Sequence, residues 1–357
     1  MDVSAKITGI TYSPLLCRTL NEYPISQLDI AISKDGAFIL ILGKNKQIAL
    51  SWWVSPKRTR SYPYARVYDT LGFQGKKVTV IPILKDEGKD GDRDFLQWDT
   101  ISLMSLLGIY TIISYYSSAE KSSGYQHKIT GQKFDISHIT EEIDNLINYQ
   151  SDALHWNLSQ IDKIDEIGKR AINFYENISK NLGVKMHSKK LAEKRINNIS
   201  KGKECFISLS RDLAKKAQKR ESETVQPKEK LTGKKATLTI KNYLGGYYFF
   251  TCDEVSIQRN TIYLIEGKHS KKSLIPSLED IKDGLLKMIL FTNLKEVKID
   301  KKQYNPVAVL KLTNDSVFKK EDLKQSQIDF LNLLKEESKR NKFSVILNGT
   351  DLIALSL

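Results

Sequence analysis

Asp253, Glu266 and Lys268 are residues whose types and spacing suit a reaction, and they lie in the segment Asp253-Glu254-Val255-Ser256-Ile257-Gln258-Arg259-Asn260-Thr261-Ile262-Tyr263-Leu264-Ile265-Glu266-Gly267-Lys268. If Arg259-Asn260 is a two-residue hairpin turn, facing residues have numbers that sum to 519, and Asp253 falls opposite Glu266. Directly opposed residues have Cβ atoms about 4.5–5.5 Å apart on one face of the sheet. Lys268, two residues past Glu266, points to that face too. Val255, Ile257, Ile262 and Leu264 share it as an apolar floor. Two carboxylates this close repel unless something positive lies between them. Mg²⁺, which prefers oxygen ligands and keeps several waters, is the natural occupant. Such an ion polarises a phosphodiester oxygen and lowers the pKa of a bound water. Lys268 would orient the attacking water or offset charge developing on the phosphate. The pattern suits phosphodiester hydrolysis. The alternative is a structural strand end at which Asp253 and Lys268 are merely paired.

An Asp, a hairpin turn and then Glu-x-Lys at the end of an apolar strand resembles the PD-(D/E)XK nuclease superfamily. The stretch Pro276-Ser277-Leu278-Glu279-Asp280-Ile281-Lys282-Asp283-Gly284-Leu285-Leu286-Lys287 looks like the helix that follows the catalytic strand in type II restriction endonucleases. The resemblance covers roughly residues 236–350. It implies that Asp253 and Glu266 are metal ligands and that Lys268 is the catalytic lysine. In one departure from the motif, Cys252 rather than proline precedes the aspartate.

Other constellations compete. Asp69 with Glu87-Gly88-Lys89 repeats the Asp…Glu-x-Lys pattern, but its midpoint falls inside an expected strand at 78–80, so no tight hairpin opposes the two ends. The acidic cluster Asp86, Asp90, Asp92, Asp94 and Asp99 does not satisfy the EF-hand template, having Gln97 where a bidentate glutamate is required. It reads as a polar loop. Between Trp52 and Tyr68, cations alternate with aromatics, and Lys57, Arg58 and Arg60 are candidate DNA contacts, since arginine pairs with guanine and aromatics stack on bases. The same stretch also reads as a hairpin with core aromatics and solvated cations. Lys271 and Lys272 follow the Glu-x-Lys strand and are placed to touch phosphate. No phosphate-binding glycine loop or dinucleotide fingerprint is present, so no nucleotide cofactor is expected. Three scattered cysteines and five scattered histidines point away from disulfides and zinc.

The rest of the chain must position these residues. Of 357 residues, 56 are Lys or Arg and 42 Asp or Glu, giving a net charge of +14 that favours an anionic partner. Residues 185–230 carry 14 of the cations against 6 anions. No run reaches the roughly 20 apolar residues of a spanning helix and no leader is evident, so a cytoplasmic, membrane-free protein is expected. Strands are predicted at 28–33, 38–42, 48–54 and 77–84, with Pro82 marking a sheet edge. A buried helix capped by Asp99-Thr100 is predicted over 101–116, and helices over 139–220. Strands at 237–240, 247–251, 253–258 and 261–268 precede a helix capped by Ser277 with Leu278, Ile281, Leu285 and Ile289 as its stripe. A strand at 307–312, a helix around Ile328, Leu331 and Leu334, and a strand at 343–347 complete a mixed α/β pattern. Three segments follow: a β-rich 1–135 for DNA recognition, a helical basic 136–232, and a catalytic 233–357 with a restriction-endonuclease-like core. The expected protein is a Mg²⁺-dependent type II restriction endonuclease acting on double-stranded DNA. One site per chain suggests a homodimer. The competing class is a non-enzymatic nucleic-acid-binding protein with structural carboxylates.

Overall fold

The computed structural model describes residues 1–43, 46–57, 63–223, 234–243, 246–315 and 320–354. The expected turn residues Lys44-Asn45, the cations Arg58 and Arg60, and the expected 232–233 boundary lie outside the described residues. The chain divides into two compact units, 1–18 with 211–357, and 19–210. This differs from the three-segment division expected from composition. The first strand belongs with the C-terminal segment, and the helical stretch up to residue 210 belongs with the strands before it.

In the discontinuous unit, nine strands form one mixed sheet. They are β1 (Asp2–Ile7), β11 (Lys234–Asn242), β12 (Tyr247–Gln258), β13 (Thr261–Ser270), β14 (Lys295–Ile299), β15 (Lys302–Gln303), β16 (Asn305–Asn314), β17 (Ser344–Leu347) and β18 (Thr350–Asp351). Their order is β15-β14-β1-β11-β12-β13-β16-β17-β18. Strands β11, β12 and β13 form an antiparallel meander, and β16 returns parallel to β13. The helices are α8 (Lys203–Glu223), which begins before the unit boundary, α9 (Leu278–Phe291) and α10 (Gln325–Asn341). Ser277 caps α9 as its sequence indicates, its side chain accepting the Asp280 N–H. Ile281, Leu285 and Ile289 are buried, whereas Leu278, at the helix start, is exposed. At the far end of the chain, the buried Glu337 of α10 accepts the Tyr12 hydroxyl at 2.6 Å and the Leu15 and Leu16 N–H groups at 2.7 and 3.0 Å. One carboxylate therefore fastens the segment after β1.

The other unit holds a five-stranded sheet of order β2-β3-β4-β5-β8. Its strands are β2 (Glu22–Pro24), β3 (Ala37–Gly43), β4 (Lys46–Trp52), β5 (Lys76–Pro82) and β8 (Ile109–Ser114). Two hairpins accompany it, β6 (Leu84–Asp86) with β7 (Arg93–Phe95), and β9 (Tyr116–Lys121) with β10 (Ile129–Phe134). Helices α1 (Leu28–Lys34), α2 (Pro63–Thr70), α3 (Trp98–Leu106), α4 (Ile136–Ile147), α5 (Ala153–Asp162), α6 (Ile164–Leu182) and α7 (Lys189–Ile199) complete it. The unit is mixed α/β rather than β-rich.

Four expectations fail here for identifiable reasons. Residues 28–33 are helical, because Leu28, Ala31 and Ile32 are buried at helical spacing despite their β-branched company. The 101–116 run splits, since Gly108 at φ +68° ends the helix and the β-branched Ile109–Ser114 pairs parallel with β5. The N-cap of α3 is Gln97, which leaves Asp99 in the first turn. Pro82 does end its strand, but β5 lies between β4 and β8 and is not an edge. Among the described residues, no helix is long and apolar enough to cross a membrane.

Candidate active site

The β12–β13 hairpin keeps the expected register, with Glu254 opposite Ile265 and Gln258 opposite Thr261. Arg259 takes the left-handed conformation at φ +54°, as the first residue of a tight hairpin turn does. The paired ladder stops at Glu254 and Ile265. Beyond it, the Gly267 N–H donates to Asp253 Oδ2 at 2.9 Å, so the Asp253 side chain replaces a backbone rung between Glu266 and Lys268. On its other edge β12 is bulged, because its register with β11 shifts between Cys252 and Val255. Bulges of this kind re-aim side chains. The alternation of burial breaks at the same place, where Glu254 and Val255 are both buried. Ile257 is 38% exposed and so does not belong to the apolar floor that Val255, Ile262 and Leu264 form.

Glu266 is only 2% exposed, and each of its oxygens meets an ammonium. Lys268 Nζ lies 3.2 Å from Oε1, and Lys287 Nζ lies 2.5 Å from Oε2. Lys268 also reaches Asp283 Oδ2 at 2.7 Å. Lys287 and Asp283 both project from α9, and sequence reasoning missed both. The available signal was a lysine one turn after an aspartate, set among the apolar Leu285, Leu286, Met288 and Ile289, with Gly284 next to the aspartate. A Cβ at Gly284 would stand 2.8 Å from Leu310 Cδ1 and 3.2 Å from Lys268 Cε, so the absence of a side chain there makes room for the Lys268 stem. Cys252 is fully buried, and burial pushes its thiol up to about 12. It is an inert neighbour of Asp253 rather than a nucleophile.

Glu266 and Asp283 meet the ammoniums of Lys268 and Lys287, while Asp253 is held at the backbone N–H of Gly267. A carboxylate offers about four acceptor positions, so Asp253 and Glu266 each keep capacity beyond the partners named. Among the described residues, no group of three or more His, Cys, Asp or Glu forms a metal cage. Two carboxylates completed by water and a substrate phosphate match the way Mg²⁺ is usually held. Asp253 and Glu266 are oxygen donors of that kind, and both Glu266 oxygens already meet ammoniums.

Exposed cations and half-buried aromatics share one face of the sheet across β1, β11 and β12. Lys6, Lys241 and Tyr247 are aligned across β1, β11 and β12, then Ser4, Thr239 and Phe249, then Asp2, Thr237 and Thr251. Lys295 of β14 lies opposite Lys6. Lys6, Lys241 and Lys295 are exposed, and Tyr247 and Phe249 half-buried. The guanidinium of Arg211 sits 4.9 Å from the Tyr247 ring centre and 5.9 Å from that of Phe249. Asp253 follows on the same strand, about 20 Å along from Tyr247 at strand rise.

The remaining predicted residues are placed as follows. Lys271 and Lys272 are exposed in the loop between β13 and α9. Lys57 is exposed but belongs to the other unit, where its ammonium meets the buried Asp94 at 2.5 Å and Ser55 donates to the same carboxylate. The nearby aromatics are internal: Trp53 and Tyr64 are buried edge to face, and Arg66 covers Trp52. Asp69 is buried within α2 and Glu87 pairs with Lys85 at 3.0 Å, so the rival Asp…Glu-x-Lys pattern sits on a helix and a loop. Comparison with protein-family models, with curated proteins and with solved structures finds no match.

Proposed function

We propose that the chain is a Mg²⁺-dependent endonuclease of the type II restriction kind, hydrolysing phosphodiester bonds in double-stranded DNA at a defined sequence. The observation that carries this reading is the Gly267 N–H to Asp253 hydrogen bond, which brings the Asp253 carboxylate to the Glu-x-Lys strand. The antiparallel β11–β12–β13 meander, the helix α9 and the parallel β16 support the resemblance to the PD-(D/E)XK superfamily. The basic, aromatic sheet face and the exposed Lys271 and Lys272 suit a phosphate backbone.

Asp253 and Glu266 would hold the ion, which supplies a polarised phosphate oxygen and a more acidic bound water. The chain's own residues do the rest. The Gly267 N–H fixes the rotamer of Asp253. Lys287 supplies the counter-charge to the inner oxygen of Glu266 in a dry setting. Asp283 holds the Lys268 ammonium at the cluster, where it can turn toward a phosphate oxygen and offset developing charge. One site per chain makes a homodimer the economical way to cut both strands. The fact that both Glu266 oxygens carry ion pairs favours a second reading, a nucleic-acid-binding protein with structural carboxylates.

Incubation of unmethylated phage DNA with the protein separates the two. The nuclease reading expects discrete fragments with Mg²⁺, and none with EDTA or with Lys268→Ala. Retarded but uncut DNA in every condition supports the second reading.

A further inference from the structure

Asp86, the first residue of the acidic cluster that reads from sequence as a polar loop, lines a cavity of about 250 Å³ in the 19–210 unit. Its lining divides by chemistry. Leu84, Ile172, Met186 and Ala192 give it an apolar body, while Asp86, Tyr175, Glu176, Ser179, Lys180, His187 and Lys189 supply polar groups. Most of those groups are already satisfied. The Tyr175 hydroxyl donates to Gln132 at 2.8 Å and accepts the Asp86 N–H at 3.0 Å. Ser179 donates to the Val184 carbonyl at 2.7 Å, and Glu176 pairs with Lys189 at 3.0 Å. Asp86 is 4% exposed, and its Oδ1 takes both the Gly88 N–H at 2.9 Å and His187 Nδ1 at 2.8 Å.

Two groups lining the cavity retain capacity. Asp86 accepts the Nδ1 proton, which orients the imidazole and leaves Nε2 as its second hydrogen-bonding position. Lys180 makes no ion pair among the described residues. An apolar body with one ammonium and one carboxylate-backed imidazole is complementary to a small organic anion. The volume falls below the roughly 300–1,000 Å³ of drug-sized sites, which limits the ligand to about a dozen non-hydrogen atoms.

We infer that this cavity is a binding site for a small organic molecule bearing one carboxylate or phosphate, held through His187 and Lys180. The facing groups are Asp86 from β6, Tyr175, Glu176 and Lys180 from α6, and Lys189 from α7.

The test is calorimetric titration of the full chain with phenyl phosphate, benzoate and neutral phenol. At least one anion is expected to bind at least about tenfold more tightly than phenol. Preference for phenyl phosphate assigns a phosphomonoester and preference for benzoate a carboxylate. Lys180→Gln, at an exposed position, is expected to weaken that anion by about tenfold and to leave phenol unchanged. His187→Phe, which removes the Nε2 hydrogen-bonding position, is expected to weaken the preferred anion at least about tenfold, and Met186→Trp, on the loop wall, to block all ligands without lowering the melting temperature. The absence of heat from either anion up to about 10 mM overturns the inference. So does equal binding of either anion by Met186→Trp, or a Lys180→Gln variant that binds like the parent.

Discussion

Glu266 is the residue on which the site turns, because its carboxylate is withdrawn from water and sits between two ammoniums. Desolvating an ion is costly, and the cost is offset only while its partners stay in place. Glu266→Gln leaves the Lys287 ammonium, whose side chain is 2% exposed, without its counter-charge. The expected loss is about 3–5 kcal/mol of unfolding free energy in urea, and the double variant Glu266→Gln/Lys287→Met is expected to recover most of it. If Glu266→Gln alone unfolds like the parent, the pair carries no such strain. At this scale the sequence was partly legible. Residue type singled out Asp253, Glu266 and Lys268, and the structure pairs Lys268 with Glu266 but holds Asp253 at the Gly267 N–H, past the end of the paired ladder. Lys287 and Asp283 were not legible, because their partnership depends on how α9 crosses β13, and that geometry lies outside a local reading.

At the scale of elements, the hairpin and α9 act together. The hairpin's register was readable because a two-residue turn fixes it, and the observed pairs obey the same rule. The bulge at Cys252–Val255 was not readable, since it arises from the partner strand β11. The split of 101–116 into α3 and β8 was obscured because both halves are buried and equally apolar, so periodicity could not separate them. Gly284 links element to site. Gly284→Ala is expected to cost about 1–3 kcal/mol through overpacking on Leu310 and to displace Lys268, lowering cleavage at least tenfold. Gly168→Ala is the control, because its Cβ would collide with the Ile196 side chain in the other unit. That variant is expected to lose stability in urea while cutting at the parent rate. Equal cleavage losses in the two variants would detach Gly284 from the site.

The sheet face allows a second prediction at this scale. Lys6→Gln with Lys241→Gln is expected to weaken DNA binding evenly across sequences and to reduce the slope of log affinity against log salt by about 2. A slope equal to that of the parent would remove this face from the DNA interface.

For the molecule as a whole, the division into units was the least legible feature. Composition marks where charge and periodicity change, but β1 joins β11 across more than two hundred intervening residues, and only the folded sheet shows that pairing. Stability of the whole should also depend on pH through Asp99 in α3. Burial raises its carboxyl from the ordinary 3.8 to about 7. The folded chain then holds a proton that the unfolded chain releases between these values, so stability falls as pH rises through that window. Asp99→Asn is expected to match the parent near pH 4 and to melt higher above pH 7, by on the order of 1–3 kcal/mol. A pH-independent difference in melting temperature would contradict the assignment.

The claim on which the account rests is that Asp253 and Glu266 form an open metal site rather than a closed structural ion-pair cluster. Mn²⁺ in place of Mg²⁺, followed by its electron-paramagnetic signal, reads this directly on the full chain without DNA. The account predicts saturable Mn²⁺ binding that Asp253→Asn, at a half-buried position, weakens at least tenfold while the melting temperature holds. Mn²⁺ that stays free at millimolar concentration, or that binds Asp253→Asn as tightly as the parent, would contradict it.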